Sequence, residues 1–133
     1  MIPGYVWAVP MRIIRWKDGD TCEGYIDKGW RDFTDREGIR IINLWCAEMN
    51  ERGGPEAKAH AEELAPAGTV VVLHSKALTK GAQWGSAQMS LERTVGDIRL
   101  LDGSDFASRM ISDGFGFRTE PELKAWLNAV TVP

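Results

Sequence analysis

The chain has little of what holds a small fold together without a core. It contains two cysteines in 133 residues, and neither Cys22 nor Cys46 sits in a C-x-x-C or Cys/His metal spacing. A disulfide scaffold is excluded, and both thiols read as small packing residues in the reduced state. No apolar run approaches the roughly 18 residues that a membrane helix requires, because Arg, Lys or Gly interrupts the long β-rich stretches. Membrane partners are therefore not expected. Positive charge is not in excess either: 16 Lys and Arg face 19 Asp and Glu, for a formal charge of −3. That excludes nucleic-acid binding through a uniformly basic surface and leaves any phosphate chemistry to a few placed residues. The opening MIPGYVWAVPM has no positive residue ahead of its apolar part and is interrupted by Pro3, Gly4 and Pro10. It does not read as a signal peptide, so the expected location is the cytoplasm.

What is present suits one globular domain over residues 1–133, with 44% hydrophobic and 26% charged residues. A chain of this length buries roughly two-thirds of the surface its unfolded form exposes, enough for a core without staples. Tyr5 to Trp16 is rich in Val, Ile, Trp and Met and runs into the turn-forming Asp18, Gly19 and Asp20, which predicts a strand ending there. Thr21 to Ile26 and Ile39 to Trp45 read as the next two strands, separated by a polar stretch with glycines that suits a hairpin arm. Thr69 to Leu73, a run of β-branched residues, and Thr94 to Leu101 complete five. Lys76 to Glu92 has no sustained period and reads as a long loop or irregular hairpin.

Three helices are predicted among these strands. Pro55 suits a first helical position before Ala57, Ala61 and Leu64, with Pro66 and Gly68 ending the segment. Ser104 is placed to cap a helix whose apolar face is Phe106, Met110 and Ile111, stopped at Gly114. Thr119 and Glu122 form a capping box ahead of Leu123, Trp126, Leu127 and Val130 at helical spacing. Five short strands with one helix between the third and fourth and two at the end predict an α+β, mainly β fold: a five-stranded OB-type Greek-key barrel with three helices.

Set on these elements, the ionisable residues that stand out are Asp18 and Asp20 at a turn, Arg40 at the start of a strand, Glu48 just beyond its end, and Arg93 before another strand. The string DGDT (Asp18 to Thr21), the strand RIINLWCAE (Arg40 to Glu48), the helix start GPEAKA (Gly54 to Ala59) and ERTVGDI (Glu92 to Ile98) occur in one order. In that order the chain resembles the staphylococcal nuclease-like (thermonuclease) family, from about Met11 to Val130, and looks like a small intracellular or phage-encoded homologue. DGDT alone is a common turn, and the order of the pieces carries the resemblance.

The resemblance implies an OB-fold phosphodiesterase that hydrolyses DNA or RNA with a divalent metal, typically calcium, single-stranded or flexible nucleic acid being the substrate. It implies that Asp20 is the metal-binding aspartate with Asp18 behind it, that Arg40 and Arg93 grip the scissile phosphate, and that Glu48 positions or activates the attacking water. These residue types suit that chemistry. Guanidinium groups stay charged and offer planar paired donors to the charge that grows on phosphate oxygens, and a carboxylate can orient a water and take its proton. Eight residues of extended strand would separate Arg40 from Glu48 by roughly 26 Å. The strand is therefore expected to bend or end near Trp45 so that the following segment curls back.

The chain departs from the family at the end of the third strand. Where the family has a metal-ligating carboxylate or amide, this sequence has Trp45, followed by Cys46 and Ala47 before Glu48. Any metal is accordingly expected to bind weakly, and the indole is placed to stack on a base. The competing expectation is a nuclease-fold module that binds nucleotide, single-stranded nucleic acid or a protein partner without cleaving it. His60 and His74 fall on the first helix and fourth strand, away from the expected cleft. Trp7, Trp16, Trp30, Trp84 and Trp126 read as packing residues.

Overall fold

Residues 5–76 and 93–129 are described by the computed structural model. Five strands, β1 (Tyr5–Asp18), β2 (Thr21–Gly29), β3 (Asp32–Ile41), β4 (Val70–Lys76) and β5 (Arg93–Arg99), close into a barrel in the order β1-β2-β3-β5-β4. β3 and β5 run parallel and every other pair is antiparallel. Three helices, α1 (Gly54–Leu64), α2 (Phe106–Ser112) and α3 (Glu120–Asn128), complete the OB-type α+β fold that the sequence predicts.

The barrel interior follows the two-residue period of its strands. Cys22 and Ile26 of β2, Ile39 and Ile41 of β3, Val71 and Leu73 of β4 and Ile98 of β5 are buried. β1 changes parity: Met11 and Ile13 point inward, then a bulge between Ile13 and Arg15 brings Trp16 inward instead. The bulge puts the indole under the helices, where it stacks on Phe106 at 4.7 Å and donates its Nε1–H to the Ala65 carbonyl at 2.8 Å. Ala57 and Ala61 of α1 pack on the same plug, so helices seal one side of the barrel over Trp16.

Several boundaries differ from the sequence reading: β2 runs on to Gly29 rather than Ile26, β4 to Lys76 rather than Leu73, and β5 spans 93–99 rather than 94–101. β3 spans 32–41 rather than 39–45, because its first half pairs with β2 in a two-stranded ribbon with mostly exposed side chains, so no burial pattern marks it. α2 is capped by Asp105, which accepts the Ser108 N–H at 3.0 Å, and not by Ser104. The capping box of α3 forms as expected, with Leu123 its buried residue. The stretch expected as a loop or irregular hairpin lies, beyond Lys76, outside the described residues, as do Trp84 and Val130. Among the described residues no helix is long and apolar enough to cross a membrane.

Candidate functional site

At one end of the barrel the β1–β2 turn faces the chain leaving β3. Asp18 Oδ1 accepts the Asp20 N–H at 3.1 Å, an aspartate turn that fixes the next side chain. Gly19 is needed there: a Cβ would stand 2.8 Å from Cys46 Sγ and 2.9 Å from the Ala57 Cβ. Asp20 is 7% exposed. Its Oδ2 accepts the Cys46 N–H at 2.8 Å, and its Oδ1 lies 3.1 Å from the Thr21 hydroxyl that donates to it.

Arg40 approaches the same carboxylate from β3, with Nη2 at 3.8 Å from Asp20 Oδ2. Nη1 donates to the carbonyls of Ile41 and of Leu44, the latter at 2.8 Å, which ties the guanidinium to the turn that follows the strand. That turn passes through Asn43 in a left-handed conformation (φ 59) and buries Leu44. Trp45 then pairs with Phe117 ahead of α3, through N–H···O bonds of 2.7 and 2.9 Å. Its ring lies under the guanidinium, 4.7 Å from the Arg40 Cζ.

The segment beyond Cys46 curls back toward the barrel, as the separation argument requires. Glu48 is exposed; its N–H donates to Glu51 Oε1 at 2.8 Å and its carbonyl accepts the Glu51 N–H at 2.8 Å. Gly54 holds this loop against the start of α1, since a Cβ there would run into the Glu48 carbonyl. Asp18, Asp20, Arg40, Trp45 and Glu48 thus line one cavity of about 690 Å³. Arg93 opens β5 in register with Gly38, two positions along β3 from Arg40; its side chain lies outside the described residues. His60 and His74 sit on α1 and β4 and do not line the cavity.

Glu51, Glu120 and Lys124 also line this cavity, and sequence reasoning did not select them. Glu51 carried a signal as the third residue after Glu48 in a polar loop. The α3 residues carry none, because the signals of that helix are its capping box and its apolar stripe, and Glu120 and Lys124 belong to neither. With five carboxylates facing Arg40 and Lys124, the cavity has a negative field that draws cations and resists a bare phosphate. The Asp20 carboxyl is pushed up to about 7, mainly by burial and then by its hydrogen bond with Asp18, against the pull of Arg40 and the Cys46 N–H. Cys22 and Cys46 are both free and buried, and burial raises both thiols, Cys22 to about 12, so neither is a nucleophile.

Among the described residues no three His, Cys, Asp or Glu side chains gather as a ready metal cage. Calcium takes about six to eight oxygens. Asp20 offers a carboxylate already engaged by Cys46 and Thr21, and the neighbouring Trp45 offers no oxygen, so the donor set does not fit calcium. A smaller hydrated divalent ion needs only one or two carboxylates and keeps its own waters. No protein-family model matches the chain, and no curated protein matches it.

Proposed function

We propose that the chain hydrolyses phosphodiester bonds of single-stranded or flexible DNA or RNA in this cavity, as a thermonuclease-like enzyme. The observation that carries the reading is that Asp20, from the β1–β2 turn, and Arg40 and Glu48, from the two ends of one later stretch, line one cavity at one barrel end. The order of motifs that resembles the thermonuclease family supports it independently.

The roles follow from the donors that remain. With Nη1 of Arg40 held by two carbonyls and Nη2 facing Asp20 at 3.8 Å, the Nε–H and the second N–H of Nη2 are left to make paired contacts with a phosphate. By the resemblance, Arg93, which opens the adjacent strand, is the second arginine of the clamp. Glu48, exposed at the cavity, orients the attacking water and accepts its proton. A hydrated divalent ion held by Asp20 and Asp18 would lower the negative charge of the cavity and polarise a phosphate oxygen.

A second reading, binding without cleavage, draws on the stack of Arg40 on Trp45. An aromatic ring beside a guanidinium holds a base and its phosphate without any chemistry. Incubation of the protein with labelled single-stranded DNA and RNA in calcium, magnesium, manganese or EDTA separates the two. Cleavage with magnesium or manganese, abolished by EDTA, is the expected result; retained binding with no cleavage under any condition selects the second reading.

A further inference from the structure

The ribbon joining β2 to β3 carries aromatic side chains that the core does not use. Trp30 is 100% exposed and Phe33 is 53% exposed. Phe33 stacks on Tyr25 across the ribbon, with ring centroids 5.1 Å apart and planes 21° from parallel. The tip is conformationally unfavourable as well. Trp30 and Arg31 both have left-handed backbones, φ 53 and 63, in a two-residue turn that Asn and Gly fill with far less strain. A bulky ring held in water on such a turn serves no folding purpose, and strain of this kind points to a use for the side chain it displays.

Around Glu23 the outer face of the sheet is locally basic, while the exposed Asp27, Asp32 and Asp35 lie nearer the tip, Asp32 3.9 Å from Lys28. Glu23 is surrounded by Arg15 at 2.9 Å, Arg36 at 2.9 Å and Lys17 at 3.8 Å, so one carboxylate answers three cations in a chain whose overall charge is −3. Arg12, also exposed, stands opposite Tyr25 in the β1–β2 register. Charges lie among the rings rather than around them. A protein-binding face would be depleted of charge at its centre. Rings interleaved with guanidinium groups suit a polyanion whose bases are free to stack.

We propose that this face, from Trp30 across the Tyr25–Phe33 pair to Arg15 and Arg36, binds single-stranded nucleic acid. The inference rests on reading the cavity as a nucleic-acid site and names the path of the strand beyond it. β3 carries Phe33 near its start and Arg40 near its end, seven residues and at most about 23 Å apart. A strand stacked on Phe33 and followed along β3 passes Arg36 before reaching the cavity. A duplex keeps its base faces stacked on each other and cannot use the aromatic pair, so the face selects single strands.

Fluorescence anisotropy with labelled (dT)15 in EDTA tests this on the intact protein. Trp30→Ala combined with Phe33→Ala should raise the Kd for (dT)15 at least fivefold and leave the Kd for the dinucleotide pdTpdT unchanged. Arg15→Ala with Arg36→Ala should flatten the dependence of (dT)15 affinity on salt. Both aromatic positions are exposed, and a melting curve matching the parent verifies that the fold is kept. No binding of (dT)15, equal (dT)15 affinity in parent and aromatic variant, or an equal loss for a duplex of the same length overturns the proposal. So does self-association or binding to phosphatidylserine vesicles that the aromatic variant abolishes while (dT)15 affinity stays constant. Failure of the cavity reading is distinct: the parent then cleaves nothing in any metal, yet the (dT)15 difference between parent and variant persists.

Discussion

Arg40 stands between Trp45 and Asp20, its guanidinium carbon 4.7 Å from the indole centroid and its Nη2 3.8 Å from the aspartate Oδ2. A cation placed this way is oriented by the ring, by two backbone carbonyls and by a carboxylate before any ligand arrives. Preorganised charge of this kind is what phosphoryl chemistry and phosphate binding both use. Removing any one holder should have a separable effect.

Asp20→Asn tests the cost of the buried acid. The folded-state value of about 7 lies above the ordinary 3.8, so the folded state binds the proton more tightly than the unfolded chain. The stability this contributes is fully present below about pH 4 and is lost as pH rises through about 7. In EDTA, the melting temperature of the parent should therefore fall between pH 4 and pH 7.5 relative to Asp20→Asn. The variant should be the more stable of the two at pH 7.5, by an amount of order a few kcal/mol at most. Parallel curves for the two proteins would show that Asp20 is not held in this state.

Trp45→Asp restores an oxygen donor beside Asp20 and removes the ring under Arg40. Affinity for hard cations rises with the number of charged oxygen ligands, so calorimetric titration should find tighter calcium binding in the variant. Binding of single strands measured in EDTA should weaken by about 1 to 3 kcal/mol if the indole stacks on a base. Unchanged calcium affinity would mean that residue 45 does not face the cation position.

Gly54→Ala should destabilise the protein even though alanine is the better helix former. Its Cβ would enter the Glu48 carbonyl, and the backbone on both sides must shift, which typically costs about 1 to 3 kcal/mol. Urea unfolding measures the loss. Because the displaced group is the backbone of Glu48, turnover should fall as well. A gain in stability, as propensity alone predicts, would show that the loop yields freely.

The elements that bury one face were legible in the sequence, and those that do not were not. β1 and β4 could be placed because Tyr5 to Trp16 and Thr69 to Leu73 are rich in residues that favour strands, and α3 because its capping box precedes Leu123, Trp126 and Leu127 at helical spacing. The ribbon half of β3 escaped because Asp32 to Gly38 has no buried side to imprint a pattern; backbone pairing with β2 alone defines it. The grouping of Asp18, Asp20, Arg40 and Glu48 was anticipated from motif order, and the need for a bend after Arg40 from strand geometry. Where the chain turns depends on Asn43 adopting a left-handed backbone and on Trp45 pairing with Phe117, a contact made across 72 residues that no local pattern encodes. Glu120 and Lys124 reach the cavity only through that pairing, so their place in it was not readable from α3 alone.

On the proposed function, Glu48 acts on the water that attacks a phosphodiester held by Arg40. Single-turnover cleavage of a labelled single strand by saturating Glu48→Gln, set beside anisotropy of the same strand, tests it most directly. The predicted result is binding equal to that of the parent, with cleavage slowed about 10²- to 10⁴-fold. Cleavage by Glu48→Gln at the parent rate would contradict the claim.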